Sequence, residues 1–165
     1  METKKIPVYD VVWGEGKPEL EVAKILDVEC ESDVTVENLA YEICTKHLKM
    51  DRLIEEVLYL FGYDENNELL GVSLVSKGTR NECSVITKTM VFTRVLLMEA
   101  RKFVTIHNHP HSKNLGPSDD DIEFFEYLDY YAKLMKLDMM DWYIVGERDM
   151  YVGSLQYKPE EQSDN

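Results

Sequence analysis

The sequence predicts an α/β domain in which helices pack on a mixed β-sheet. Three observations point there. Segments with strand character alternate along the chain with segments whose apolar residues recur at helical spacing. The run 57–63, Val-Leu-Tyr-Leu-Phe-Gly-Tyr, is almost continuously apolar, as a central strand covered on both faces should be. The length of 165 residues, 44% of them hydrophobic and 30% charged, fits one domain with a real core.

The elements follow in order. Residues 6–13 read as a strand, with Pro7 near its start, and 14–18 as a Gly/Pro loop. Residues 19–30 fit a strand or a helix equally well. Thr35 is positioned to cap a helix with Val36, Leu39, Ala40 and Ile43 on its apolar face. Residues 53–63 form the central strand, Asp64-Glu65-Asn66-Asn67 has turn chemistry, and 69–76 is the returning strand. Residues 88–101 show a helix with a broad apolar face, and 103–106 are a short β-prone run ending at His107. Residues 107–118 hold Pro110, Gly116 and Pro117 and read as a loop. The helix that follows carries Ile122, Phe125, Leu128, Ala132 and Met135 as one stripe. Strands at 139–145 and 150–155 close the domain around a turn at 146–149.

Composition narrows the function. The net charge of −14 makes the chain a poor general nucleic-acid binder, because such binding begins with Lys and Arg neutralising phosphates. No apolar run reaches the ~20 residues that span a bilayer, and no signal-peptide stretch follows the first five residues, so a cytoplasmic location and no membrane partner are expected. The three cysteines, Cys30, Cys44 and Cys83, are odd in number and lack C-x-x-C spacing. They are expected as free thiols rather than as disulfides or zinc ligands.

The chemistry concentrates in His107-Asn108-His109-Pro110 and, after a loop, Ser118-Asp119-Asp120-Asp121. Three of the four histidines, His107, His109 and His111, fall within five residues. In an extended segment His107 and His109 point the same way and can present two imidazoles to one point. The first turn of the next helix can return the Asp121 carboxylate there. Two imidazoles, a carboxylate and an open position make the usual catalytic zinc arrangement, with one ion per chain. Structural readings compete. A His pair at a strand end can be a hydrogen-bonded turn. Ser118 with Asp121 three residues on resembles a capping box, and three aspartates suit the positive end of a helix dipole. His111 reads as a solvated loop residue.

The H-x-H-P…P-S-x-x-D arrangement resembles the JAMM (MPN/JAB) metalloproteases, and more closely their bacterial RadC-like branch. Gly78-Thr79-Arg80-Asn81 is similar to the branch's Gly-Thr-Leu-Asn after its second strand. Phe103 to His109 resembles its strand ending in His-Asn-His-Pro. Asp141, Ile144-Val145-Gly146 and Ser154-Leu155 match its C-terminal strands. The tail 158–165, polar and acidic around Pro159, is expected to be mobile from its composition. The resemblance implies a three-layer, cytidine-deaminase-like JAB/MPN domain over 1–157, with the metal core at about 52–157. It implies a zinc metallopeptidase or isopeptidase, with Glu56 at the start of the central strand as general base and the Ser118 hydroxyl as oxyanion donor. A peptide or protein substrate, a ubiquitin-like tail among the options, goes with that activity. The alternatives are a metal-holding interaction module without turnover and a RadC-like DNA-repair or mobile-element accessory protein.

The sequence departs from the branch in three places. His111-Ser112 replaces Ser-Gly in a loop one residue longer, Trp142 stands where a histidine is common, and Thr89 stands for an arginine. From the charge we predict no sequence-independent DNA binding tighter than about 10⁻⁴ M at physiological salt. A fluorescence titration with random duplex DNA at several salt concentrations checks it, and a micromolar, steeply salt-dependent Kd would contradict it.

Overall fold

A computed structural model describes residues 1–78, 85–110, 112, 115–147 and 149–153. Thr79, Arg80, Asn81, Cys83, His111, Ser154, Leu155 and the expected tail 158–165 lie outside the described residues. Seven strands among the described residues form one mixed sheet with helices on both faces, the α/β architecture the sequence predicts. No described helix is long and apolar enough to cross a membrane.

The first two strands form a long antiparallel hairpin, β1 (Glu2–Trp13) and β2 (Pro18–Cys30), paired from Glu2↔Cys30 to Trp13↔Pro18. The ambiguous segment 19–30 is therefore a strand. Its inward residues Leu26, Val28 and Cys30 alternate with exposed ones, the period that only an extended chain supports. The hairpin turn closes with Gly14 N–H to Lys17 C=O at 2.9 Å, and Gly16 takes φ +81°. Because β1 begins at Glu2, Pro7 stands inside it rather than near its start. It precedes the short parallel ladder to the fourth strand at Val8↔Val72 and Tyr9↔Ser73.

Thr35 caps helix α1 (Val36–Glu42), its hydroxyl accepting the Asn38 N–H at 3.3 Å. A π-helical turn, Ile43–His47, and a 3-10 turn, Met50–Arg52, then lead to strand β3. Strand β3 (Glu56–Tyr63) pairs antiparallel with β4 (Leu69–Gly78) on one side and with β5 (Lys102–Asn108) on the other. The β3–β4 turn is held by Asp64, whose Oδ1 accepts from the N–H groups of Asn66 and Glu68 at 2.8 and 2.9 Å. Helix α2 (Val85–Leu97) links β4 to β5. Helix α3 (Asp119–Leu134) carries the chain from β5 to strand β6 (Asp138–Val145), parallel to β5, and β7 (Met150–Gly153) returns antiparallel. The sheet order is β2-β1-β4-β3-β5-β6-β7.

Both faces of β3 are covered, as its apolar run requires. Val57 and Phe61 join Ile6, Val28, Ile43 and Tyr143 under α1. Leu58 and Leu60 join Val95, Phe125, Leu128 and Trp142 under α2 and α3. Cys30 and Cys44 are buried free thiols, and burial pushes the Cys44 thiol well up, so it is unreactive.

Several details differ from the sequence reading: β3 starts at Glu56 rather than at residue 53, and β4 runs on to Gly78 rather than ending at residue 76. The 88–101 helix runs instead from Val85 to Leu97. It closes with Glu99 in the left-handed region at φ +54°, the Ala100 N–H reaching back to Val95 C=O. Residues 107 and 108 belong to β5 rather than to the loop. On α3 the inward stripe is Asp121, Phe124, Phe125, Leu128 and Ala132, while Ile122 is half-buried and Met135 exposed. That rotation turns Asp121 toward the sheet.

A bulge at Met140 shifts β6 so that Asp141 faces Val104, on the side of Glu37 in α1. Burial raises the Asp141 carboxyl, the Trp142 N–H pulls it down, and Glu37 raises it again, leaving it at about 6. Its unfolded value is about 3.9, so between these values the folded state holds more protons than the unfolded. This contribution is therefore favourable at pH 4 and is lost as pH rises through 6. We expect Asp141→Asn to gain stability relative to wild type by about 1–2 kcal/mol between pH 4 and pH 7, after allowing for solvent screening. Urea melts at both pH values measure the difference; an unchanged difference would show that Asp141 is not raised.

Candidate metal centre

The strand alternation of β5 places His107 on the face covered by α2 and α3, and His109 follows two residues on. The His109 N–H continues the ladder toward β6, meeting Val145 C=O at 3.4 Å. Both imidazoles consequently reach one point, with their Nε2 atoms 3.0 Å apart. Asp121, inward on the first turn of α3, completes the group. Its Oδ1 lies 3.2 Å from His107 Nε2 and its Oδ2 3.3 Å from His109 Nε2. His107 and Asp121 are buried and His109 is half-buried.

The capping-box and ligand readings of Asp121 hold together. The Asp121 Oδ2 accepts from the Ser118 N–H at 2.8 Å and the Ser118 hydroxyl at 2.7 Å. The Ser118 Oγ accepts from the Asp121 N–H at 3.2 Å. The carboxylate can do both because its two oxygens together offer about four lone-pair directions. Burial alone would raise the Asp121 carboxyl. The His107 and His109 hydrogen bonds, the His107 charge and the Ser118 N–H outweigh it and hold the group well below the usual carboxylate range. Asp119 and Asp120 are exposed at the positive end of the same helix.

Aromatic rings brace the site from below. The His107 ring lies against Phe125, centroids 5.6 Å apart, and Phe125 stacks on Trp142 at 4.2 Å and 11°. Gly153 on β7 makes room for the indole, since a Cβ there would sit 2.2 Å from it. Leu115 of the metal loop presses on Gly146, where a Cβ would meet its Cδ2 at 2.3 Å, pinning that loop to the β6–β7 turn. Trp142 stands out in the sequence only as a substitution for histidine; its packing role is visible only with the sheet assembled.

The structure brings the other two sequence-predicted residues to the same end of the sheet. Glu56 opens β3, half-buried. Leu58 pairs with His107, and Glu56, two residues from Leu58, shares its face. Ser118 is the exposed N-cap of α3. Glu55 lies just outside the strand, its carboxylate 2.6 Å from Lys77 Nζ.

The donor set fits a cation. A tetrahedral ion with bonds of about 2.0–2.1 Å separates its ligand atoms by about 3.3–3.4 Å, close to the spacings found here. Two imidazole nitrogens facing each other at 3.0 Å also have at most one proton to share when neutral, so a cation satisfies both lone pairs. The imperfect feature is His107 Nδ1, which is buried and makes no hydrogen bond among the described residues. Among those residues His107, His109 and Asp121 form a group that can hold a metal.

The family model of the RadC-like JAB domain matches residues 34–159. A UPF0758 protein of Methanosarcina acetivorans is 30% identical over 147 residues, covering 82% of this chain and 62% of that protein. One of Methanosarcina barkeri is 28% identical over 144 residues, with the same shares. One of Finegoldia magna is 34% identical over 94 residues, 57% of this chain and 41% of that protein. The chain thus matches between 41% and 62% of the length of these relatives.

The two roles of Asp121 separate it from its neighbour. Asp119→Asn removes one charge at an exposed helix start and should cost about 0.3–1 kcal/mol. Asp121→Asn removes the charge-assisted bonds from the Ser118 N–H and hydroxyl and the carboxylate that faces the two imidazoles, and should cost about 2–3 kcal/mol even without metal. Urea denaturation in chelator compares them. Equal losses would mean that Asp121 does no more than start the helix.

Proposed function

We propose that this chain, which belongs to the RadC-like JAB domain family, is a zinc-dependent metallopeptidase or isopeptidase. The observation that carries the reading is the convergence of His107, His109 and Asp121 within 3.0–3.3 Å, with Glu56 on the same face of the sheet. Two imidazoles and one carboxylate leave a fourth position open, the pattern of catalytic rather than structural zinc.

When bound, zinc supplies Lewis acidity, polarising a carbonyl and making water acidic enough to lose a proton near neutral pH. His107, His109 and Asp121 would hold it. The chain's other residues do the rest. Glu56 accepts the proton of the attacking water and passes it to the leaving amine, so one carboxylate serves first as base and then as acid. The Ser118 hydroxyl donates to the carbonyl oxygen as negative charge builds there. To do so it turns away from the Asp121 Oδ2, while its backbone N–H keeps hold of that carboxylate. The Phe125–Trp142 stack keeps the His107 ring from tilting. The substrate is a peptide or protein, a ubiquitin-like tail being one form it can take.

Protein purified without chelator should carry about one zinc per chain by elemental analysis. His109→Ala should lose it. Glu56→Gln should keep it while cleavage of a peptide library falls by about 10²–10⁴. Glu55→Gln is the control for charge, because it removes only an exposed ion pair to Lys77. Full zinc retention in His109→Ala would remove the metal site. Wild-type protein that holds zinc and cleaves nothing in the library would mark a metal-holding interaction module.

A further inference from the structure

Between the two histidines stands Asn108, 1% exposed and on the opposite face of β5. Its side chain reaches across to the start of β3. The Oδ1 accepts the Val57 N–H at 2.8 Å, and the Nδ2 donates to Glu55 C=O at 3.1 Å and to Met50 C=O at 3.2 Å. The backbone ladder between β3 and β5 is paired from Leu58↔His107 onward. Beyond that pair the Asn108 amide takes over. It bonds the carbonyl before Glu56 and the N–H after it, the pattern in which a residue of a parallel strand holds its neighbour.

We infer that Asn108 is the positioning residue for Glu56, tying the proposed base to the end of β5, where His107 stands and after which His109 follows. The argument is geometric. Glu56 is the first residue of its strand, paired with Gly78 of β4 on one side, but on the β5 side the ladder stops at Leu58, and a slip of about 3.3 Å there would turn or displace its carboxylate. Two hydrogen bonds on the flanking peptides fix its backbone, and a third anchors the preceding 3-10 turn through Met50. The amide is well used, three bonds to backbone groups from a side chain shut away from water. A buried amide satisfied in this way resists movement, because breaking it strands polar groups in a dry layer. The triplet His107-Asn108-His109 therefore presents two imidazoles on one face of the sheet, while Asn108, from the opposite face, fixes the backbone of Glu56, whose side chain shares the face of the imidazoles.

The inference rests on the hydrolase reading for its catalytic meaning but not for its structural content, so the test has separate arms. Asn108→Ala and the isosteric Asn108→Asp are compared, the latter keeping the acceptor for Val57 but losing both donors. Both should retain wild-type metal content, since His107, His109 and Asp121 lie across the strand. In Asn108→Ala the Val57 amide should exchange with solvent about two- to tenfold faster. Peptide cleavage should fall about 10–10²-fold in both variants, through kcat with KM little changed, the scale of a misplaced catalytic group. In a Glu56→Gln background Asn108→Ala should produce no further fall. Loss of metal, an unchanged Val57 exchange rate, or an equal fall in cleavage with and without Glu56 would each overturn the inference. If wild-type protein binds metal but cleaves nothing, the hydrolase reading fails by itself, and metal content with Val57 exchange still decide whether Asn108 holds Glu56.

Discussion

The register between β3 and β5, which sets Leu58 opposite His107, is the constraint on which the rest of the site depends. Side chains alternate with a period of two, so a slip of one residue would send His107 into the α1 layer and Glu56 with the wrong partners. Burial on both faces forbids that slip. Val57 and Phe61 must reach one core while Leu58 and Leu60 reach the other, and exchanging them would require both layers to repack. The least polar strand of the protein thereby determines where its most polar chemistry stands.

Asp121 is the second point on which several demands meet. Helix α3 leaves the end of β5 and returns to begin β6 in parallel, which brings its first turn beside the histidines. A helix N-terminus carries partial positive charge, an unfavourable neighbour for a cation. Three aspartates on that turn offset it, two in solvent and one facing the imidazoles. The capping bonds from Ser118 hold the third in place before any metal arrives. Below it the His107–Phe125–Trp142 stack replaces soft aliphatic packing with rings whose positions are hard to deform.

The sequence by itself determined which residue types gather at the centre and the order of the main elements from residue 35 onward. Histidines two apart at the end of a β-prone run, and a carboxylate three residues into a helix, are local patterns, so spacing alone reveals them. The central strand was legible for the same reason, since an unbroken apolar run has few other places to go. Helix ends were less so: α2 and α3 close through Glu99 and Lys136 in left-handed conformations, where no glycine announces the stop. Tertiary structure alone decided the questions of distance. The 19–30 segment became a strand because β1 pairs with it along its whole length, and α3 turned its stripe until Asp121 faced the sheet. It likewise placed Trp142 behind Phe125 and closed around Glu56 the amide of Asn108, which lies 51 positions from Val57 and 53 from Glu55. Such contacts join segments far apart in the chain, and no local period encodes them. They exist only once the two cores have fixed how the strands lie against each other.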